Sequence, residues 1–197
     1  PLLAVRADGK WKKLADLIKD AKALPGQMTV ANSGTGSHTH ISAVAMFKAT
    51  GLNVIHVPYG VSQVVPNLLG GHVDVTVQLP GALAAHVSSG RIRVLAALTS
   101  KRDPGMPDVP TARELGYNVS LEAWRGIAVP RGTPSAIIAR LEAAIRATAE
   151  SPEFGKASEK LFVNPAFMPA AAFGELIARE DAEMARIMQQ IGLKKSP

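Results

Sequence analysis

The sequence has no cysteine. That excludes a disulfide scaffold, a thiol nucleophile and any cysteine-ligated zinc or iron–sulfur centre. Aromatic residues are scarce, at 5%. Nucleic-acid binding usually adds aromatic stacking to basic charge, so nucleic acid is not an expected partner. No uninterrupted apolar run reaches the ~18 residues that a membrane-spanning helix needs. The phosphate-loop Gly-Lys-Ser/Thr, the His-Glu-x-x-His pair and the Gly-x-Ser-x-Gly nucleophile elbow are all absent, and no paired acids suited to hydrolysis stand out. These absences argue against most enzyme classes.

What is present describes a globular chain. Of 197 residues, 47% are hydrophobic and 19% charged, the balance of a folded domain rather than a disordered tail. The length allows one domain or two small ones. The net charge is +6 and is unevenly spread. Residues 1–60 carry seven Lys or Arg against three Asp. A basic first helix of this kind is a solvated face or an anion-steering patch.

Periodicity predicts strands over 2–6, 28–31, 54–57, 73–77 and 92–98, and helices over 14–21, 38–49, 63–69 and 80–87. Alternation of strand and helix with short connections predicts a mainly parallel sheet covered by helices. Beyond Thr99 the texture changes. Pro104, Pro107 and Pro110 mark a surface loop, and residues 111–115 read as a helical turn. A strand is predicted over 123–129. Helices are expected from Pro134, with Thr133 as its cap, from Pro152, and over 169–191 with Gly192 as its stop. A short strand is expected over 161–163. The domain boundary falls near residues 120–130.

Sheets of this kind bind ligands at the carboxyl ends of their strands. Asn32-Ser33-Gly34-Thr35-Gly36-Ser37-His38 lies at such an end. Small residues let the backbone approach a ligand, and amides at a helix N-terminus favour an anion. The segment reads either as a carboxylate cradle or as a plain tight turn. Tyr59-Gly60 and Gln78 end strands at the same edge, as site groups or as loop packing. Ser33 or Ser37 with His56, His72 or His86 and Asp74 could be imagined as a triad, without the elbow that a triad of this kind needs. His38 and His40 are two apart, which is poor spacing for a metal on a helix.

Several segments occur in a specific order: Asp16-Leu17, Pro25-Gly26-Gln27-Met28-Thr29-Val30-Ala31-Asn32-Ser33-Gly34-Thr35-Gly36-Ser37, His56-Val57-Pro58-Tyr59, Leu68-Leu69-Gly70-Gly71-His72-Val73-Asp74, Leu98-Thr99-Ser100-Lys101-Arg102, Met106-Pro107-Asp108-Val109-Pro110-Thr111, Trp124-Arg125-Gly126 and Pro130-Arg131-Gly132-Thr133-Pro134. Together they resemble the substrate-binding receptors of tripartite tricarboxylate transporters, the Bug family, essentially end to end. After Tyr59 the chain departs from the family: Gly60-Val61-Ser62 stands where many members read Lys-Gly and a small residue.

The resemblance implies an α/β fold of the type II periplasmic-binding-protein (Venus flytrap) kind, with one lobe essentially complete and the other partial. Residues 5–122 would be the second lobe. Residues 1–4 and 123–197 would be hinge strands and C-terminal helices of the partial first lobe. Members carry more of that first lobe ahead of the segment matching Pro1, so the chain is expected to be a fragment. The implied function is periplasmic capture of a small carboxylate for the membrane subunits of the transporter, with no cofactor, no metal and no catalysis. The alternative is a folded or self-associating piece that binds nothing by itself. The implied ligand contacts are Ser33, Gly34, Thr35, Gly36, Ser37, His38, Tyr59, Gly60 and Gln78. A homodimer through residues 124–197 is also expected, because helices built to cover a sheet would expose their apolar stripes.

Overall fold

The computed structural model describes residues 1–190 and 192. The chain divides into two compact units. The first runs over Pro1–Ala123 and takes in the end of the last helix from Ile187; the second is Trp124–Arg186.

Among the described residues, the first unit is built on one five-stranded sheet: β1 (Leu2–Arg6), β2 (Thr29–Asn32), β3 (Ile55–Pro58), β4 (Val75–Gln78) and β5 (Ile92–Ala97). Their order is β3-β2-β4-β1-β5. Side chains alternate across it. Leu3, Val5, Val30, Val75, Val77 and Leu95 pack on one face with α1 (Leu14–Ala23) and α2 (His38–Ala49). Leu2, Ala4 and Ala31 pack on the other with α3 (Val64–Leu69) and α4 (Pro80–Ser88). α1 docks through Leu14, Leu17, Ile18 and Ala21, all buried. The Asp16 carboxylate accepts from the amides of Lys12 and Lys13, which satisfies donors at the helix start.

Two expectations are corrected here. The sheet is not mainly parallel. β2 pairs parallel with β3 and β4, but β1 pairs antiparallel with both β4 and β5. Local spacing reveals a strand but not its direction, and β1 enters between two strands that follow it by more than sixty residues. Residues 1–4 were expected with the other unit, yet Leu2–Ala4 lie inside this sheet at 0–1% exposure. Their burial on both faces explains why an unbroken apolar run reads as a strand without reading as a hinge.

β2, β3, β4 and β5 therefore point the same way. Their carboxyl ends share one edge with the start of β1. Residues 33–38, 59–60, 78–79 and 98–100 all emerge there.

The second unit contains α5 (Ser135–Ala149), α6 (Pro152–Leu161) and α7 (Ala170–Gln190). The strands expected over 123–129 and 161–163 are absent: the first is irregular, and Leu161 closes α6. Apolar runs of that length carry no strand without a neighbour to pair with. Thr133 does not cap α5. Its hydroxyl bonds back to the Pro130 carbonyl, and Pro134 holds the cap position. Ser151 does cap α6, accepting from the Phe154 amide. The Glu142 carboxylate accepts from the Ala170 amide at the start of α7. The Trp124 indole donates to Glu180 at 2.6 Å and meets Phe173 edge-on. Ile191, the expected last helical residue, lies outside the described residues.

Candidate carboxylate site

The segment 33–38 turns from β2 into α2 through two glycines with left-handed backbone, Gly34 at φ 109° and Gly36 at φ 77°. A side chain at either position would be strained. Ser37 caps α2, its hydroxyl accepting from the His40 amide. The first turn of α2 carries no acid, so the positive end of the helix dipole there is uncompensated.

The expected free amides are mostly occupied. Ser33 N–H donates to Thr39 Oγ1 at 2.9 Å, Gly34 N–H to Asn32 Oδ1 at 3.1 Å and Gly36 N–H to His40 Nδ1 at 3.0 Å. These bonds set the shape of the loop. Thr35 itself is exposed. The donors aimed outward are therefore side chains as much as backbone.

Gln78 and Ser33 come together. Gln78 Nε2 donates to Ser33 Oγ at 2.6 Å, while Gln78 Oε1 accepts from the Leu79 amide. Gln78 is buried and cannot turn outward. Ser33 Oγ already accepts that hydrogen bond, so its own O–H is directed elsewhere. Beneath it the buried Asn32 Nδ2 has no hydrogen-bond partner, a costly vacancy for a buried donor. The Tyr59 amide donates to the Asn32 carbonyl, which sets Tyr59 and Gly60 beside the cradle.

His38 also bonds across this edge. Its Nε2 donates to the Glu122 carbonyl at 2.9 Å, which ties α2 to the segment leaving the first unit. Ser100 N and Oγ both donate to the Glu122 carboxylate at that edge. Burial pushes the His40 imidazole below its ordinary pKa. His56 is lowered by burial and then by His40; their rings meet edge-on at 5.1 Å. Asn32, Thr39, His40, Ser100 and Glu122 were not singled out as site residues from sequence. An Asn two residues before a glycine is a known Asx-turn signal, so Asn32 was readable; Ser100 and Glu122 meet only through the fold.

The imagined triad does not assemble. Asp74 sits at the opposite edge, accepting from Thr29 N and Oγ1. A cavity of about 270 Å³ lies at that edge too, lined by Val5, Arg6, Lys10, Trp11, Gly71 and Asp74. Its cations are already paired, Arg6 with Asp8 and Lys10 with Asp20, so it offers little to an acid. No group of three or more His, Asp or Glu suited to a metal occurs among the described residues.

Comparison with known proteins settles the family. The model of the tripartite tricarboxylate transporter family receptor, TctC, matches residues 1–193. The chain belongs to the TctC receptor family. That family is one of transporter receptors rather than of enzymes. A Cupriavidus necator relative described as a UPF0065 protein is 30% identical over 98% of this chain and 59% of its own length. A solved Rhodopseudomonas palustris protein with adipate, Rpa4515, superposes with a TM-score of 0.87 at 27% identity, over 98% of this chain and 65% of that one. MatC from the same organism, with bound malate, gives 0.80 at 26%, over 94% and 65%. The periplasmic binding protein BugD gives 0.81 at 25%, over 99% and 67%. The fold is thus of the periplasmic-binding-protein kind. The chain spans about 59% of the length of that curated relative.

Proposed function

We propose that this chain is the ligand-contacting part of a periplasmic receptor that captures a small organic acid for a tripartite tricarboxylate-type transporter. The ligand carboxylate sits against the 33–38 loop at the N-terminus of α2. Ser33 donates its hydroxyl proton, Thr35 its amide and hydroxyl, and Tyr59 with Gly60 closes the side. Gln78 acts through Ser33 rather than on the ligand. Neutral donors and a helix dipole suit a carboxylate that must later be released, since a buried ion pair would hold it more tightly.

The observation that carries this reading is the 2.6 Å bond from Gln78 to Ser33, which leaves the serine proton for an incoming acceptor. Malate and adipate in related receptors support dicarboxylates as the ligand class. Native mass spectrometry of the purified chain, with and without added malate or adipate, tests it. A retained or added acid mass, lost in Ser33→Ala, is expected. Masses of the bare chain under every condition would overturn it.

A second reading is favoured by coverage. The chain matches 65% of the adipate-bound receptor. In that reading capture needs the remainder, and the chain alone is a folded, self-associating piece. Binding of malate only when the part of such receptors that this chain does not span is supplied distinguishes the two.

A further inference from the structure

Gly36 and His40 face each other across the first turn of α2. The Gly36 amide donates to His40 Nδ1 at 3.0 Å. An imidazole nitrogen can accept only while it is unprotonated. His40 must therefore be neutral, with its proton on Nε2, for this bond to exist. His40 is 9% exposed, so water does not readily replace the lost acceptor.

We propose that His40 is a positioning residue whose neutral imidazole holds the Gly36 amide, so that the loop 33–37 keeps its shape only until His40 takes up a proton. Protonation turns the acceptor into a second donor. Two N–H groups then oppose each other at hydrogen-bond distance, and the loop must move. The consequence for ligand capture rests on the function proposed above; the coupling of Gly36 to His40 does not.

The surroundings make the switch a clean one. β2 and β4, which pack against α2, carry no ionisable side chain. β3 brings His56, whose ring meets that of His40 edge-on. α2 itself carries His38, bonded to the Glu122 carbonyl, and Lys48 in its last turn. The His56 Nδ1 is buried with no partner, so a charge on His40 meets a second, half-buried imidazole. Burial holds both rings below the ordinary histidine value. As pH falls below that value the unfolded chain binds protons first, so stability declines through the window down to the folded pKa.

The test is a titration of the ¹⁵N-labelled full chain between about pH 8 and pH 5, following the Gly36 amide and the His40 ring nitrogens together. The Gly36 resonance should shift with the midpoint of His40, and its exchange protection should fall about tenfold or more. In His40→Asn the side-chain oxygen stands near the place of Nδ1 and accepts at every pH. There the Gly36 step should vanish while its protection at low pH is retained. A Gly36 resonance that stays flat as His40 titrates overturns the proposal, as does a step that survives in His40→Asn. If that variant does not fold, the wild-type titration alone decides. With malate as probe, affinity should fall with pH more steeply in the wild type than in His40→Asn, which cancels the titration of malate itself. No binding of malate, adipate or a retained acid near pH 8 would overturn the proposed function while the amide titration still judges His40.

Discussion

The cradle depends on one backbone conformation that only glycine adopts easily. Gly36 sits at φ 77°, where any other L-residue costs about 1–2 kcal/mol. Gly36→Val should lower unfolding free energy by roughly that amount, or more for a β-branched residue, and remove any stabilisation by malate or adipate. Urea denaturation with and without the acids checks both; a variant that still gains stability from either acid would move the site away from this loop. A different residue governs the acid limb. Glu114 accepts from Arg102 and from the Thr111 amide. Arg102 first, and Thr111 second, lower its carboxyl from 4.5 to about 2. A depressed carboxyl contributes stability above its unfolded value and loses it as pH falls through the folded one. The wild-type urea midpoint should thus decline between pH 4.5 and about 2. Glu114→Gln should start lower and be flatter over that window; an unchanged slope would show that the Arg102 clip contributes nothing.

Elements with a partner face and elements without one should answer truncation differently. Leu17 lies at 0% exposure in α1, against the sheet. Leu17→Ala should cost about 2–5 kcal/mol through lost burial and a cavity. Ile137 in α5 is 50% exposed, and in the dilute, monomeric chain Ile137→Ala should cost well under about 1 kcal/mol. Guanidinium unfolding of both variants at low protein concentration checks the contrast; equal losses there would mean that α5 is buried within a single chain. The same contrast explains what the sequence could reveal. α1, α2 and α4 were legible because their apolar residues recur at helical spacing and end at Pro25, Gly51 and Gly90. The turn at 32–37 was legible because Asn, Ser and Gly each favour it for a local reason. The direction of β1 was not, because it is decided by contacts with strands far along the chain. The run at 123–129 misled for the opposite reason: β-branched and apolar residues there suit a strand, but no partner strand pairs with them. In the site, Ser33 and Gln78 are 45 residues apart and meet through the parallel pairing of β2 with β4.

The two units differ in how they are held together. The first has two buried clusters, one on each face of its sheet. Among the described residues of the second unit, no hydrophobic side chain is fully buried. Ile127, Ile137, Leu141, Phe154, Phe162, Met168 and Ile177 are all exposed. Helices gain most of their stability by burying an apolar face, and exposed patches beyond a few hundred Å² mark interaction surfaces. Ile137 and Leu141 lie four apart, one turn along the same side of α5. The chain should therefore self-associate through residues 124–186. Replacing Ile137 and Leu141 together by Glu should weaken the dimer by about a hundredfold or more, since each buried aliphatic contributes about 1.5–3 kcal/mol. Light scattering across a concentration series reads this directly. A wild-type chain that stays monomeric at high concentration, and binds little of a dye that reports apolar surface, would sink the prediction. A dimer unaffected by the double substitution would move the contact off α5 and onto the exposed side of α7 around Ile177.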